Sequence, residues 1–315
     1  MNLRNVEILN AVFTPMHADG SINFPLIPDM FQQFLGTGSQ GIFLNGTTGE
    51  CMSLSTSERM RLVEAWMACC RNIKAEEIKV FVHVGSCNLL EAAQMAQHAR
   101  DQGADGVAMV PTFYFRPKTI NDLVEQCAYV AASAPEIPFY YYNIPSLTGV
   151  DFPLIDFMKL AVQRIPNFAG FKNSFNDVVD YQHCLHFAQN KYSLYWGADE
   201  AFMMLYAAGN RHYVGSTYNY MASYYTDMLL AQHSGNTAGL FKLQGEADAI
   251  YRILSEHNGI IAGKEIMRLI GLDCGPVRLP LRALTTDQKE LIQRKLKETT
   301  FFQQKVTAKE SATLS

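Results

Sequence analysis

A lysine ends one of the short apolar segments of this 315-residue chain. The segment FAGFK, residues 168–172, has the length and composition of a buried strand, so Lys172 places an amine where that strand leaves the core. Burial disfavours a charged amine, and a neutral lysine attacks a ketone to form an iminium that accepts electrons from a breaking carbon–carbon bond. The alternative is a strand-end lysine that extends to solvent. The local sequence leaves both interpretations open.

A run of three tyrosines ends a second apolar segment, PFYYYN at residues 138–143. In a strand, Tyr140 and Tyr142 share one face while Tyr141 takes the other. A phenol at the strand end, Tyr142, could therefore relay protons beside an iminium. The alternative is aromatic packing in the core.

A third segment, GIFLN at residues 41–45, runs into Gly46-Thr47-Thr48-Gly49-Glu50. The glycines flank two hydroxyl residues at what should be a turn between a strand and a helix. Such a turn presents backbone N–H groups and hydroxyls that can hold a carboxylate. The alternative is an ordinary turn in which glycines supply unusual dihedral angles. We assign Glu50 a structural role.

Two more segments end in small and polar residues. SLYW, residues 193–196, leads to Gly197-Ala198-Asp199-Glu200. HYVGS, residues 212–216, ends at Ser216 and is followed by Thr217. A histidine pair, His183 and His186, has the spacing of ligands on one helix face, but no third ligand is evident. We therefore interpret these histidines as surface or helix-packing residues.

These residues lie in a chain that alternates predicted strands with predicted helices eight times. The apolar segments lie at residues 6–13, 41–45, 78–84, 106–110, 138–143, 168–172, 193–196 and 212–216. Each is followed by a helical pattern, as in residues 57–72 and 89–104. Nearly continuous apolar runs indicate parallel strands buried on both faces, and eight such units predict a (β/α)₈ TIM barrel. The active site of such a barrel lies at the carboxyl ends of its strands.

The chain continues beyond the eighth unit with further helical patterns. We predict a catalytic barrel over residues 1–235 and a helical extension packed on it over residues 236–303, with a disordered tail at 304–315. In the extension, Thr285 or Thr286 is the candidate cap of the last helix.

Composition narrows the class of protein. The chain is 48% hydrophobic with a net charge of −4, which argues against nucleic acid or an anionic membrane as the main partner. No window approaches the roughly 20 apolar residues of a membrane span. The seven cysteines are scattered without a CxxC pair, and no signal peptide is evident, so we expect a cytoplasmic protein with free thiols.

Three of these motifs together resemble the pyruvate-dependent class I aldolase family of dihydrodipicolinate synthase and N-acetylneuraminate lyase. The family's GxTGE loop stands at residues 46–50, and its YNxP segment at residues 142–145. Its Schiff-base lysine, which follows a strand glycine, falls on Lys172 in Gly170-Phe171-Lys172. The similarity runs from about Val6 to Pro280.

Within that family, several positions resemble the sialic acid lyase branch. The synthase branch carries an arginine where this chain has Leu147, and the lyase GxDE segment stands at residues 197–200. The lyase GSTYN segment is intact at residues 215–219. Two departures from the family pattern are Ala198 and the pair that follows Lys172, Asn173-Ser174, where a threonine is expected at the second position.

The resemblance implies a barrel enzyme that cleaves sialic acid reversibly to N-acetylmannosamine and pyruvate without a metal or organic cofactor. It also implies a homotetramer, with Tyr114 near an interface. The alternatives are another aldolase or synthase of the family acting on a 2-keto-3-deoxy sugar acid, and a non-catalytic sugar-acid-binding barrel. The implied site comprises the catalytic residues Lys172 and Tyr142 and the substrate-binding residues Thr47, Thr48, Ser174, Gly197, Asp199, Glu200 and Ser216.

Overall fold

Eight parallel strands form a closed barrel in which each strand pairs with the next and the eighth pairs with the first. The computed structural model describes residues 6–72 and 78–303. All eight predicted strands are present, and the TIM barrel fold is confirmed. The strands are Glu7–Ala11 (β1), Gly41–Leu44 (β2), Lys79–His83 (β3), Gly106–Met109 (β4), Phe139–Asn143 (β5), Phe168–Asn173 (β6), Ser193–Trp196 (β7) and His212–Gly215 (β8).

Helices surround the barrel and continue past it. Those of the described residues are Ile27–Leu35 (α1), Thr56–Asn72 (α2), Leu89–Gln102 (α3), Ile120–Ala131 (α4), Pro145–Thr148 (α5), Leu154–Arg164 (α6), Val178–Ala188 (α7), Phe202–Ala207 (α8), Tyr218–His233 (α9), Thr237–Glu256 (α10), Gly259–Leu269 (α11) and Thr286–Lys297 (α12). Of these helices, none is long and apolar enough to cross a membrane. The cap of α12 is Thr285, whose hydroxyl accepts a hydrogen bond from the Gln288 N–H.

Two layers of apolar side chains hold the barrel. One fills its interior, and the other lies between the strands and the surrounding helices. On β5, Tyr140 and Tyr142 belong to the interior layer, whereas Tyr141 packs outward with its ring centroid 4.3 Å from that of Phe157. The predicted division of the tyrosine run between two faces is therefore confirmed.

The helices beyond the barrel are joined to it by buried charge. α10 packs on α9, and α11 and α12 pack on α10. The Lys264 ammonium of α11 lies 2.6 Å from the Glu50 carboxylate, and both side chains are buried. A second Glu50 oxygen accepts a hydrogen bond from the Arg278 N–H at 2.8 Å. Glu50 therefore has the structural role assigned from the sequence.

No break in the described chain marks the predicted boundary between the barrel and the helical extension. The barrel strands end at Gly215, and the described chain continues without interruption through α9 into the helical extension. The division at residues 235 and 236 stays a prediction, and the tail at 304–315 lies outside the described residues.

Candidate active site

Lys172 lies inside the mouth of the barrel rather than in solvent. Its side chain is buried, with 5% of the residue surface exposed. The Nζ atom lies 4.4 Å from the ring centroid of Phe43 and 4.2 Å from that of Tyr142. Two aromatic rings pack against this amine and the residue is buried, so the interpretation as a solvent-extended lysine is wrong for this structure.

A β-bulge directs Lys172 into the barrel. On β6, Phe168 packs outward, and strict alternation would turn Lys172 outward as well. The register with β5 shifts after Phe168, because Tyr140 pairs with Gly170 instead of Ala169. The extra residue, Ala169, restores the inward direction for Lys172 and sets it opposite Tyr142.

Gly170 makes the bulge possible. Its φ angle is +146°, a value that residues with a side chain rarely adopt, and a Cβ atom there would lie 1.9 Å from the Ser193 carbonyl oxygen. The glycine therefore allows β6 to approach β7 at the position two residues before the lysine. The local sequence shows this glycine but not its conformation.

The loop after β2 contacts the phenol of Tyr142. The hydroxyl oxygens of Thr47 and Tyr142 lie 3.1 Å apart, and Tyr142 is buried. The loop closes on itself, since the N–H groups of Gly49 and Glu50 donate to the carbonyls of Gly46 and Thr47. Among the described residues, none accepts a backbone hydrogen bond from Thr47 or Thr48. Those two N–H groups and the two half-buried hydroxyl side chains form a site suited to a carboxylate.

Gly197 packs directly against the lysine. A Cβ atom at this position would lie 2.4 Å from the Ser174 hydroxyl oxygen and 3.1 Å from Cε of Lys172. The Ser174 hydroxyl donates to the Gly197 carbonyl at 3.3 Å. The strand ends of β6 and β7 therefore bring Ser174 and Gly197 together beside the amine.

Asn173, which the sequence left without a role, is fully buried and ties two strand ends together. Its Oδ1 accepts from Asn143 Nδ2 at 2.9 Å, and its own Nδ2 donates to the Phe175 carbonyl at 2.8 Å. These bonds satisfy a buried amide and hold the ends of β5 and β6, which carry Tyr142 and Lys172. The departure from the family pattern at Asn173 thus has a structural explanation.

The acidic pair after β7 is divided between two environments. Glu200 is exposed, whereas the carboxylate of Asp199 is withdrawn from solvent. One Asp199 oxygen accepts from Thr217 N at 3.0 Å and from Thr217 Oγ1 at 2.7 Å, which links the loop after β7 to the loop after β8. Burial raises the pKa of Asp199 to about 6. Ser216, next to Thr217, is half-buried.

His83 and Phe43 belong to the site although the motifs did not indicate them. Burial and the neighbouring Arg59 guanidinium lower the pKa of His83 well below its usual value, so the ring is neutral. Its Nδ1 lies 2.8 Å from the Asn45 carbonyl, and its ring centroid lies 5.7 Å from that of Tyr142. Both side chains point into the barrel from β2 and β3 and contact Tyr142 of β5, so alternation along those two predicted strands could have indicated them.

The predicted histidine pair takes no part in the site. His183 and His186 are exposed on α7, outside the barrel. Over residues 6–72 and 78–303, no group of three or more His, Cys, Asp or Glu residues is placed to hold a metal ion.

The chain is similar to known proteins over most of its length. The dihydrodipicolinate synthetase family matches residues 4–299. The N-acetylneuraminate lyase of Rattus norvegicus is 37% identical over 298 residues, which cover 93% of this chain and 92% of the rat protein.

Solved structures of the same kind superpose closely. The N-acetylneuraminate lyase of Proteus mirabilis has a TM-score of 0.90 and 34% identity, with 94% of this chain and 99% of that one covered. The N-acetylneuraminate lyase (sialic acid aldolase) of Aliivibrio salmonicida has a TM-score of 0.89 and 31% identity, with 94% and 97% covered.

Proposed function

Because the chain belongs to the dihydrodipicolinate synthetase family, we propose that it is a class I aldolase that cleaves N-acetylneuraminate reversibly to N-acetyl-D-mannosamine and pyruvate. The observation that carries this proposal is the buried Lys172 amine between Phe43 and Tyr142. An amine held in an apolar mouth is suited to attack on a ketone, and the relatives with this activity cover nearly the whole chain.

The first steps form the covalent intermediate. Thr47 and Thr48 bind the carboxylate of the open-chain sugar acid, which places its C2 ketone beside Lys172 and lowers the entropic part of the barrier. The amine adds to C2 to give a carbinolamine, and loss of water leaves a protonated Schiff base between C2 and Nζ. This iminium needs no metal or organic cofactor as an electron sink.

The next steps break the carbon–carbon bond. The C4 hydroxyl loses its proton, with the Tyr142 phenol in the relay, and C4 becomes the aldehyde carbon of N-acetylmannosamine. The electrons of the C3–C4 bond move into the iminium and give a lysine-bound enamine. Protonation at C3 and hydrolysis release pyruvate and return Lys172 to its starting form. Thr47, 3.1 Å from the Tyr142 hydroxyl, connects the relay to the carboxylate site.

The remaining candidate residues bind the hydroxylated end of the sugar acid, which is called the sugar end of the site below. Glu200 and Ser216 lie on the loops after β7 and β8, where their side chains are at least partly accessible. Gly197 contributes its backbone and Ser174 its hydroxyl beside the lysine. Asp199 completes the set, with one buried oxygen that has no hydrogen-bond partner among the described residues.

The substrate is tested by comparing sugar acids. We expect the purified protein to release pyruvate from N-acetylneuraminate with a higher kcat/KM than from 2-keto-3-deoxy sugar acids that lack the N-acetyl and glycerol groups. Cleavage of the simpler acids alone would favour another aldolase of the family. If none of them releases pyruvate, a non-catalytic sugar-acid-binding barrel becomes the better proposal.

The same family membership supports two further parts of the proposal, a homotetrameric assembly and a cytoplasmic location. Tyr114 and Phe115 are about four-fifths exposed on the loop after β4, with ring centroids 5.0 Å apart. Two adjacent exposed aromatic side chains are suited to a protein interface. A light-scattering mass equal to one chain would contradict the tetramer.

A further inference from the structure

A ring of hydrogen-bonding groups connects the helical extension to the sugar end of the site. Thr217 Oγ1 lies 2.7 Å from Asp199 Oδ2 and 2.5 Å from the Tyr225 hydroxyl. The Tyr225 hydroxyl lies 2.7 Å from that of Tyr251, which lies 3.1 Å from the main-chain carbonyl oxygen of Asp199. The ring begins and ends on Asp199. Tyr251 reaches it from α10, outside the barrel.

Counting protons shows which form of Asp199 completes this ring. The ring has four contacts, and each needs one proton. Thr217, Tyr225 and Tyr251 supply one hydroxyl proton each, so an ionised Asp199 leaves one contact without a proton. A protonated Asp199 supplies the fourth, and the bond that the ionised carboxylate accepts from Thr217 Oγ1 is then reversed. Asp199 donates to Thr217, Thr217 to Tyr225, Tyr225 to Tyr251, and Tyr251 to the Asp199 carbonyl.

The surroundings extend the pH range in which Asp199 is protonated from about 3.8 to about 6. Burial is the main cause that raises the Asp199 pKa, and the neighbouring Glu200 adds to it, while hydrogen bonds from Thr217 and the charge of Lys172 act in the opposite direction. Burial is the main cause that raises the pKa of Tyr251, and the charge of Asp248, on the same helix, adds to it. Burial raises the pKa values of four phenols near Asp199, and the charge of Asp199 adds to each shift: Tyr218, Tyr220, Tyr225 and Tyr251.

We propose that Tyr251 is a positioning residue for the sugar end of the site. Its hydroxyl closes the ring when Asp199 carries a proton, and the closed ring holds the loop after β7 against the loop after β8. Those loops carry Glu200 and Ser216, so Tyr251 fixes where these two side chains meet the hydroxylated end of a sugar acid. The inference rests on the proposed function for the identity of the ligand, but the ring itself is independent of it.

The ring is tested first without substrate. The folded protein keeps the Asp199 proton above its usual pKa of 3.8, up to about 6, so the folding equilibrium constant should fall as pH rises between these values, by about a hundredfold. We expect Asp199→Asn to remove most of this fall. Tyr251→Phe should reduce this fall. Without the Tyr251 hydroxyl, only the Asp199–Thr217 and Thr217–Tyr225 contacts remain, and the two hydroxyl protons satisfy both of them even when Asp199 is ionised.

The control is a second buried tyrosine of the same region. Tyr224 on α9 donates to Glu246 at 2.8 Å and takes no part in the ring. Tyr224→Phe should keep the wild-type pH dependence of unfolding between pH 4 and 6. Identical pH profiles for Tyr251→Phe and Tyr224→Phe would overturn the ring, whether or not the protein cleaves any sugar acid.

The positioning role is tested with substrate. In Tyr251→Phe, the KM for N-acetylneuraminate should rise about fivefold at pH 5, the effect of one lost hydrogen bond, and rise less at pH 7, where the wild-type ring is already incomplete. The pyruvate concentration that half-saturates borohydride trapping on Lys172 should not change. An equal KM increase at both pH values, or a matching loss of pyruvate trapping, would overturn the positioning role. Failure of the wild-type protein to cleave the substrate would instead overturn the proposed function.

Discussion

Lys172→Ala should yield a folded protein that forms no covalent adduct with pyruvate. The proposed mechanism passes every intermediate through the Lys172 amine, so its removal takes away the nucleophile and the electron sink together. We expect kcat for the cleavage of N-acetylneuraminate to fall by about 10⁴-fold or more. The measurement is an intact mass after borohydride reduction in the presence of pyruvate, with the kinetic assay beside it.

Folding of this variant is expected from the environment of the side chain. Lys172 is a buried amine that packs on Phe43 and Tyr142, and its truncation removes a buried polar group, which is costly to desolvate, as well as packing contacts. A matched control is Lys191→Ala, since Lys191 is exposed in the turn before β7. This control should trap pyruvate as the wild type does. An adduct on the Lys172→Ala protein, or none on the wild type, would refute the Schiff base.

The barrel could be predicted because its signals are local. Eight short apolar runs alternate with helical patterns, and each observed strand lies within the predicted one or extends it by one residue, as β6 does at Asn173. Parallel strands buried on both faces need such runs, and the carboxyl ends of the strands must then meet at one mouth. This topology brings the chain segments that carry Lys172, Tyr142 and Thr47 to the same mouth.

The direction of Lys172 is not a local signal. Alternation counted from the outward Phe168 would place the lysine on the outer face, and only the extra residue at Ala169 reverses this. A bulge depends on the pairing with the neighbouring strand, which a single apolar run does not encode. The family resemblance, rather than the periodicity, supplied the functional assignment.

Contacts between residues far apart in sequence were also beyond prediction. Asp199, Thr217, Tyr225 and Tyr251 come from four elements, and each of them looks like an ordinary polar or aromatic residue in its own segment. The sequence indicated Asp199 as a sugar-binding acid. Its burial against Thr217 depends on how the loops after β7 and β8 approach one another.

The bulge leads to the second large expected effect, that of Gly170→Ala. The new Cβ would lie 1.9 Å from the Ser193 carbonyl oxygen, and the backbone φ of +146° is strained for any residue with a side chain. Because the clash is with backbone, it cannot be relieved by rotating a side chain. Either β6 separates from β7, or the bulge is lost and Lys172 turns away from Tyr142.

Both outcomes should be measurable. We expect Gly170→Ala to lose about 3 kcal/mol of unfolding free energy. It should also reduce pyruvate trapping per folded molecule by about 100-fold or more, since a misplaced nucleophile loses its orientation. The control is Gly245→Ala on α10, where a Cβ meets no atom within 4 Å. That change lies within a helix and should stabilise the protein by about 0.5–1 kcal/mol.

The comparison separates the conformation of Gly170 from the general effect of adding a methyl group. Trapping must be normalised to the folded fraction measured by circular dichroism, so that a loss of folded protein is not mistaken for a misplaced lysine. If Gly170→Ala traps pyruvate at the wild-type rate in its folded fraction, the bulge is not what directs Lys172 into the mouth. In the expected outcome, the close approach of β6 and β7 at Gly170 sets the geometry of the reacting amine, because β6 carries Lys172 and Gly197 directly follows β7.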